Sequence, residues 1–246
     1  MNRPPPSHRA RDRLTSYFWS GESIRSRSVS DVVLSGTLDV PALPMRLVAD
    51  CEREIATHLA LAPGDVEALS LARARVRWPD YRQCVQAMSD WMGSQGLPEL
   101  LGSCDVALMA CRGAKYHHDG AQYGGAAFCN LFLSEDKELD LHFPSAGLRM
   151  PLTRGTAVMF DTGQPHAVIR RGSSGFDAAD FASDEDCSLL FLTWELPIED
   201  VHVARALQVV FDVDPSTSSQ LDEEQVRLDG AQATLCPDSG SWRSDG

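Results

Sequence analysis

Apolar and polar positions along the chain change rhythm near residue 104. Before it, Leu47, Cys51, Ile55 and Leu59 recur at helical spacing, and with Pro44 ahead of them they predict a helix over about 45–61. A second helix is expected over 79–94, with Asp80 in its first turn and Gly96 just past its end. Residues 31–40 alternate well enough to form an early strand, closed by Pro41. From Cys104 onward the texture is short apolar runs separated by Gly, Asp and Pro, without intervening helices. That pattern predicts an antiparallel sandwich or barrel, mainly β with flanking helices, the helices packed as buttresses on the outside of one sheet. Residues 172–186 form a long acidic connection between two strands, the kind that often serves as a lid. Residues 1–15 and 213–246 are expected as a disordered tail and an acidic, flexible tail, leaving 16–212 as one domain.

Composition narrows the function classes. A chain of 246 residues with 43% hydrophobic content can bury a core without disulfide staples. No apolar run approaches the roughly 18–20 residues that a membrane span needs, and the Arg- and Pro-rich start has no apolar stretch of the secretory kind. A net charge of −13 argues against a nonspecific phosphate-backbone binder, so no nucleic-acid partner is expected. Seven cysteines, an odd number with no CxxC pair, suggest reduced and mostly buried thiols in a cytoplasmic protein, and not a zinc site.

The chemistry concentrates in two segments, Lys115–Asp119 and Gly155–His166. Residues two apart on a strand project to the same face, so His117 and Asp119 are expected to point together while His118 points elsewhere. With His166 on a later strand they make two imidazoles and one carboxylate. Such a set caps one face of a metal and leaves the other open, which suits non-haem Fe(II). Tyr116 and Tyr123 flank the HxD and either line the pocket or pack. His142 alternates with apolar neighbours and reads as a solvated position, with a supporting contact behind the metal ligands as the alternative. Asp177, Asp180, Asp184, Glu185 and Asp186 in the long connection read as a solubilising surface or as an attraction for a cationic substrate. Phe176 and Phe181 in the same connection are candidates to close over a ligand.

Residues from about Tyr116 to Leu196 resemble the core of the Fe(II)/2-oxoglutarate-dependent dioxygenases. The resemblance is carried by the HxD, by Phe128–Leu133 after it, by Leu139–Pro144, and by Pro151–Phe160 leading into His166. It implies a double-stranded β-helix (jelly-roll, cupin-like), with His117, Asp119 and His166 as metal ligands. It further implies Fe(II) as cofactor, 2-oxoglutarate as co-substrate, O2, and hydroxylation of a small molecule or amino-acid side chain. Retention of Asp119 favours hydroxylation over halogenation, because related halogenases carry a small residue there.

One departure stands out. The family usually places an Arg about ten residues beyond the distal His to pair with the co-substrate's far carboxylate, and here no basic residue lies between Arg171 and Trp194. A buried carboxylate needs a cationic partner. Arg170, which shares a face with His166 and Val168 on a regular strand, is the candidate, with Arg149 and Arg154 as others. Two other readings fit the missing Arg: a cupin-like metalloenzyme that does not use 2-oxoglutarate, and a non-catalytic binding barrel. The oligomeric state is not legible in the sequence.

Overall fold

The computed structural model describes residues 13–59, 61–97, 100–181 and 186–244. The first part of the chain forms β1 (Leu14–Ser20), β2 (Ser23–Ser28), β3 (Val33–Thr37), α1 (Met45–Glu54), β4 (Val66–Leu69), α2 (Leu71–Arg75) and α3 (Tyr81–Ser94). The early strand is thus shorter than expected, and the first helix ends at Glu54 and continues as a π turn over Ile55–Leu59.

Eight strands follow, and they make the barrel: β5 (Val106–Cys111), β6 (Ala114–His117), β7 (Ala126–Phe132), β8 (Leu139–Phe143), β9 (Leu148–Pro151), β10 (Thr156–Asp161), β11 (His166–Arg170) and β12 (Leu189–Pro197). The chain alternates between two antiparallel sheets. A six-stranded sheet has the order β3-β10-β7-β12-β5-β4, and a four-stranded sheet has the order β6-β11-β8-β9. Apart from the β8–β9 hairpin, every connection from β5 to β12 crosses from one sheet to the other. This is the topology of a double-stranded β-helix, so the expected fold class is the observed one.

Side-chain alternation divides the core in two. Leu131, Met159, Leu192 and Trp194 point out of the large sheet and pack with Leu47 and Cys51 of α1 and Met88 and Met92 of α3. The helices therefore do act as buttresses. Phe132, Val158, Phe160 and Phe191 point inward and meet Leu141 and Phe143 of the small sheet. Gly155, at φ +88, turns the chain into β10 so close to β3 that a Cβ would sit 2.0 Å from the Leu38 carbonyl oxygen.

Both tail expectations need correcting. Leu14 and Thr15 already belong to β1, while residues 1–12 lie outside the described residues. The acidic C-terminal segment is folded, because its composition conceals short alternating runs. After α4 (Val201–Ala206), which precedes it, the segment forms β13 (Gln225–Leu228), β14 (Ala231–Leu235) and β15 (Trp242–Ser244). β13 pairs with β1 in a third sheet of order β15-β14-β13-β1-β2. The pairing is non-local: buried Val226 of β13 registers with Ser16 of β1, at the other end of the chain.

The long connection is likewise not a cover for the barrel mouth. Phe176 and Phe181 are buried and stacked on each other with centroids 5.4 Å apart. The Ser173 carbonyl accepts from Arg149, which shares with His142 the face of the small sheet opposite His166, and Gly175 lies beside Tyr116, so the segment packs outside the small sheet. Of its acidic residues, Asp184 and Glu185 lie outside the described residues.

Candidate metal centre

β6 ends at His117 and β11 begins at His166, and the two residues are cross-strand partners. Their rings lie 4.4 Å apart between centroids. Asp119 sits in the loop after β6 and not on the strand itself, so local turn geometry aims it where strand alternation was expected to. Its backbone N–H donates to the Thr162 carbonyl at 2.8 Å, and its carbonyl accepts from Gln122 and Tyr123. One donor atom from each of His117, Asp119 and His166 lies within 4.8 Å of the others.

The ring nitrogens are sorted by the backbone. His117 Nδ1 lies 2.7 Å from the Lys115 carbonyl and His166 Nδ1 3.0 Å from the Gln164 carbonyl. A carbonyl can only accept, so each Nδ1 carries a proton and each Nε2 is the nitrogen left to ligate. Those two Nε2 atoms face Asp119, at 3.8 Å for His117 and 3.6 Å for His166.

Burial holds the His166 imidazole well below its ordinary pKa, assisted by neighbouring His117, so it stays neutral. Burial also raises the Asp119 carboxyl, with the His117 charge opposing. No Lys or Arg forms an ion pair with Asp119 among the described residues. The sunken carboxylate and the two Nε2 atoms thus form a donor set that a divalent cation would satisfy, and the residues fit a metal. Phe160 and Phe143 stand against His166, at 4.7 and 5.9 Å between ring centroids, and keep water from that side.

Two loops carry the donors, and they are laced together. Thr162 Oγ1 donates toward the carbonyls of Tyr123 and Ala126, 2.7 and 2.9 Å away. Arg27 of β2, fully buried, forms a bidentate pair with fully buried Asp161 at 2.6 and 2.9 Å, and its Nε donates to the Gly124 carbonyl. Asp161 also accepts from the backbone N–H groups of Ser30 and Gly163. One guanidinium therefore ties the loop that follows Asp119 to the turn that precedes His166. Gly120 and Gly163 meet where the loops cross: a Cβ on Gly120 would lie 2.9 Å from Gly163 Cα and 2.7 Å from Val226 Cγ2.

The other singled-out residues fall outside this cluster. His118 points away and lies 5.4 Å from the Trp242 ring, its Nδ1 buried without a partner. Tyr116 packs outward, and its hydroxyl meets His142 Nδ1, so His142 has a side-chain partner and is not a purely solvated position. Arg149 is bound to Asp140 and to the carbonyls of Ser173 and Arg170, and Arg154 donates to the Val40 carbonyl. Arg170 ends β11, four residues beyond His166. Its guanidinium lies 3.6 Å from Cys187 Sγ and 3.5 Å from the exposed Glu138 carboxylate. The inward positions at the start of β12 are Leu189 and Phe191, both buried, and Phe191 stacks on Phe132 at 5.1 Å. All seven cysteines are free thiols.

Sequence reasoning missed Arg27, Asp161 and Thr162. Asp161-Thr162-Gly163 carries a local signal, an Asp accepting from the N–H two residues on. Arg27 sits in a Ser- and Arg-rich strand that offers none.

No family model matches the chain, and no curated protein matches it. Among solved structures, a prolyl-4-hydroxylase from Pseudomonas putida is similar at 18% identity and TM-score 0.37, over 67% of this chain and 92% of that one. A viral collagen prolyl hydroxylase from Paramecium bursaria Chlorella virus-1, in a 2-oxoglutarate complex, is similar at 8% identity and TM-score 0.40, over 67% and 94%. The fold assignment rests on strand order and register.

Proposed function

We propose that this chain is an Fe(II)-dependent oxygenase that uses 2-oxoglutarate and O2 to hydroxylate a small molecule or an amino-acid side chain. The observation that carries the reading is the convergence of His117 Nε2, His166 Nε2 and the Asp119 carboxylate, with both Nδ1 protons already committed to carbonyls. Two histidines and one carboxylate on one face is the donor set suited to ferrous iron with open positions opposite. Those three residues would hold the metal, and the chemistry it supplies is O2 activation coupled to oxidative decarboxylation of the 2-oxo acid, delivering oxygen to a C–H bond.

The protein's own part is positioning and exclusion. The Lys115 and Gln164 carbonyls fix both imidazoles in the tautomer that can ligate. Phe143 and Phe160 keep the His166 side dry, which protects a reactive centre from water. Arg170 is the residue proposed for the far carboxylate of the co-substrate. Its contact with Glu138, a carboxylate that is 69% exposed, is one that an incoming carboxylate can exchange.

A second reading is favoured by one observation. Leu189 and Phe191 make the start of β12 apolar, which suits a cupin-like metalloenzyme that does without 2-oxoglutarate. Anaerobic titration of the Fe(II)-loaded protein with 2-oxoglutarate separates the two. A visible metal-to-ligand charge-transfer band supports the first reading, and iron binding without a band supports the second. Arg170→Ala is expected to raise the apparent KM for 2-oxoglutarate. Arg171→Ala should act on stability instead, because Arg171 is held by Asp136 and Asp140.

A further inference from the structure

On the inward face of the large sheet, beside the triad, two side chains offer hydrogen-bond acceptors that nothing in the described protein uses. Glu195 of β12 is directly across from Phe128 of β7, and Asn130 is across from Thr193, one step deeper on the same face. The facing is settled by the neighbours: Phe128, Phe132 and Phe191 belong to the inner cluster, and Cys129, Leu131 and Trp194 to the outer one. Diagonal positions of this kind bring side-chain ends within reach of one ligand.

Asn130 is 7% exposed and its Oδ1 has no hydrogen-bond partner. Glu195 is partly buried; its backbone N–H donates to the Asp105 carbonyl, but its carboxylate forms no hydrogen bond or ion pair among the described residues. Burial raises its pKa, and the nearby Asp105 carboxylate adds to the shift, so the local field is negative. A buried acceptor left unmatched destabilises the protein. Such groups in a binding face are matched by the ligand.

The position connects to the metal centre. Tyr123 lies 5.2 Å from Phe128 between ring centroids, and its hydroxyl is raised by burial and then by the charges of both Glu195 and Asp119. Phe128 contacts Phe160 at 6.1 Å, and Phe160 contacts His166 at 4.7 Å. Glu195 and Asn130 therefore share a sheet face with Phe128, whose ring leads through Phe160 to His166, and the Tyr123 ring on Phe128 feels both the Glu195 and the Asp119 charge. A donor-rich cation beside an aromatic ring is the ligand this arrangement matches.

We infer that the substrate is cationic, presenting a primary ammonium or guanidinium group that Glu195 and the Asn130 carbonyl oxygen receive while Tyr123 and Phe128 flank its alkyl stem. The inference rests on the oxygenase reading for the role of the triad but not for the binding itself. It also moves the expected acidic attraction from the 172–186 connection, which lies outside the small sheet, to the inner face of β12.

The test is calorimetry on the full chain, with and without Co(II), using n-butylguanidinium and n-butylammonium against neutral butyramide and anionic butyrate. The cations are expected to bind at least about tenfold more tightly than butyramide, the scale of one hydrogen bond to a charged group. Glu195→Gln should remove that preference while leaving butyramide binding unchanged, and Asn130→Ala should weaken it. Glu52→Gln, on an exposed helical position, should retain it in full and so controls for the overall negative charge. Equal binding of butyramide, or an undiminished preference in Glu195→Gln, overturns the inference. The visible Co(II) spectrum of the same samples reports the triad separately. Co(II) binding with no cation preference defeats only this inference, and cation preference with no Co(II) binding defeats only the metal reading.

Discussion

Asp161→Asn tests whether the buried Arg27–Asp161 pair acts on the metal centre or only on the fold. Both side chains are fully buried, and Asp161 accepts four hydrogen bonds: two from the guanidinium and one each from the backbone N–H groups of Ser30 and Gly163. The substitution leaves the Arg27 charge buried without its counter-charge, which costs about 3–5 kcal/mol. A domain of this kind has about 5–15 kcal/mol in total, so the variant should still fold but with a much lower urea midpoint. The pair also ties together the two loops that carry Asp119 and His166, so metal affinity should fall about tenfold, the low end for a lost outer contact. At a Co(II) concentration about a hundred times the wild-type Kd, bound metal stabilises the wild type by about 2.7 kcal/mol and such a variant by about 1.4 kcal/mol. Urea unfolding with and without Co(II) measures both quantities in one experiment. A loss below about 1 kcal/mol without metal, or an unchanged metal increment, would refute the reasoning.

His117→Ala and His166→Ala should each reduce Co(II) affinity by more than the ~10–100-fold of an outer contact while the far-UV circular dichroism stays native. Metal binding at wild-type strength in both variants would remove the assignment. Gly120→Ala forces the crossing loops apart against backbone that cannot yield; about 1–3 kcal/mol of stability and a measurable part of the metal affinity should be lost. Asp214, which caps Thr217 and accepts from the Tyr17 hydroxyl, has its carboxyl held well below the ordinary value by those donors. A depressed folded pKa gives stability that is complete above the unfolded value near 3.8 and is lost as pH falls through the folded one. Wild type should therefore lose more stability than Asp214→Asn between pH 5 and pH 2.5, measured as urea midpoints; equal losses would exclude that role for the cap.

Local spacing alone determined a good part of this protein. Helical recurrence at Leu47 and Cys51 placed α1, and the short apolar runs after Cys104 pointed to an antiparallel sandwich or barrel. The HxD with a distal His named three residues that do converge, because a strand and its following loop hold two of them within one short stretch. What the tertiary structure decided depends on contacts between distant positions. Arg27 and Asp161 are 134 positions apart, so no local pattern marks them as partners. The acidic C-terminal segment reads as solvated from composition, yet β13 finds an edge on β1 that exists only once the N-terminal hairpin has formed. Phe176 and Phe181 look like a lid from their sequence neighbours, but the direction of a connection is set by what it packs on, and here that is the outer side of the small sheet. Inward or outward orientation is likewise a property of the assembled sheets. Alternation states that Asn130 and Phe128 share a face and Cys129 the other, and only the second sheet says which of those faces looks toward the triad.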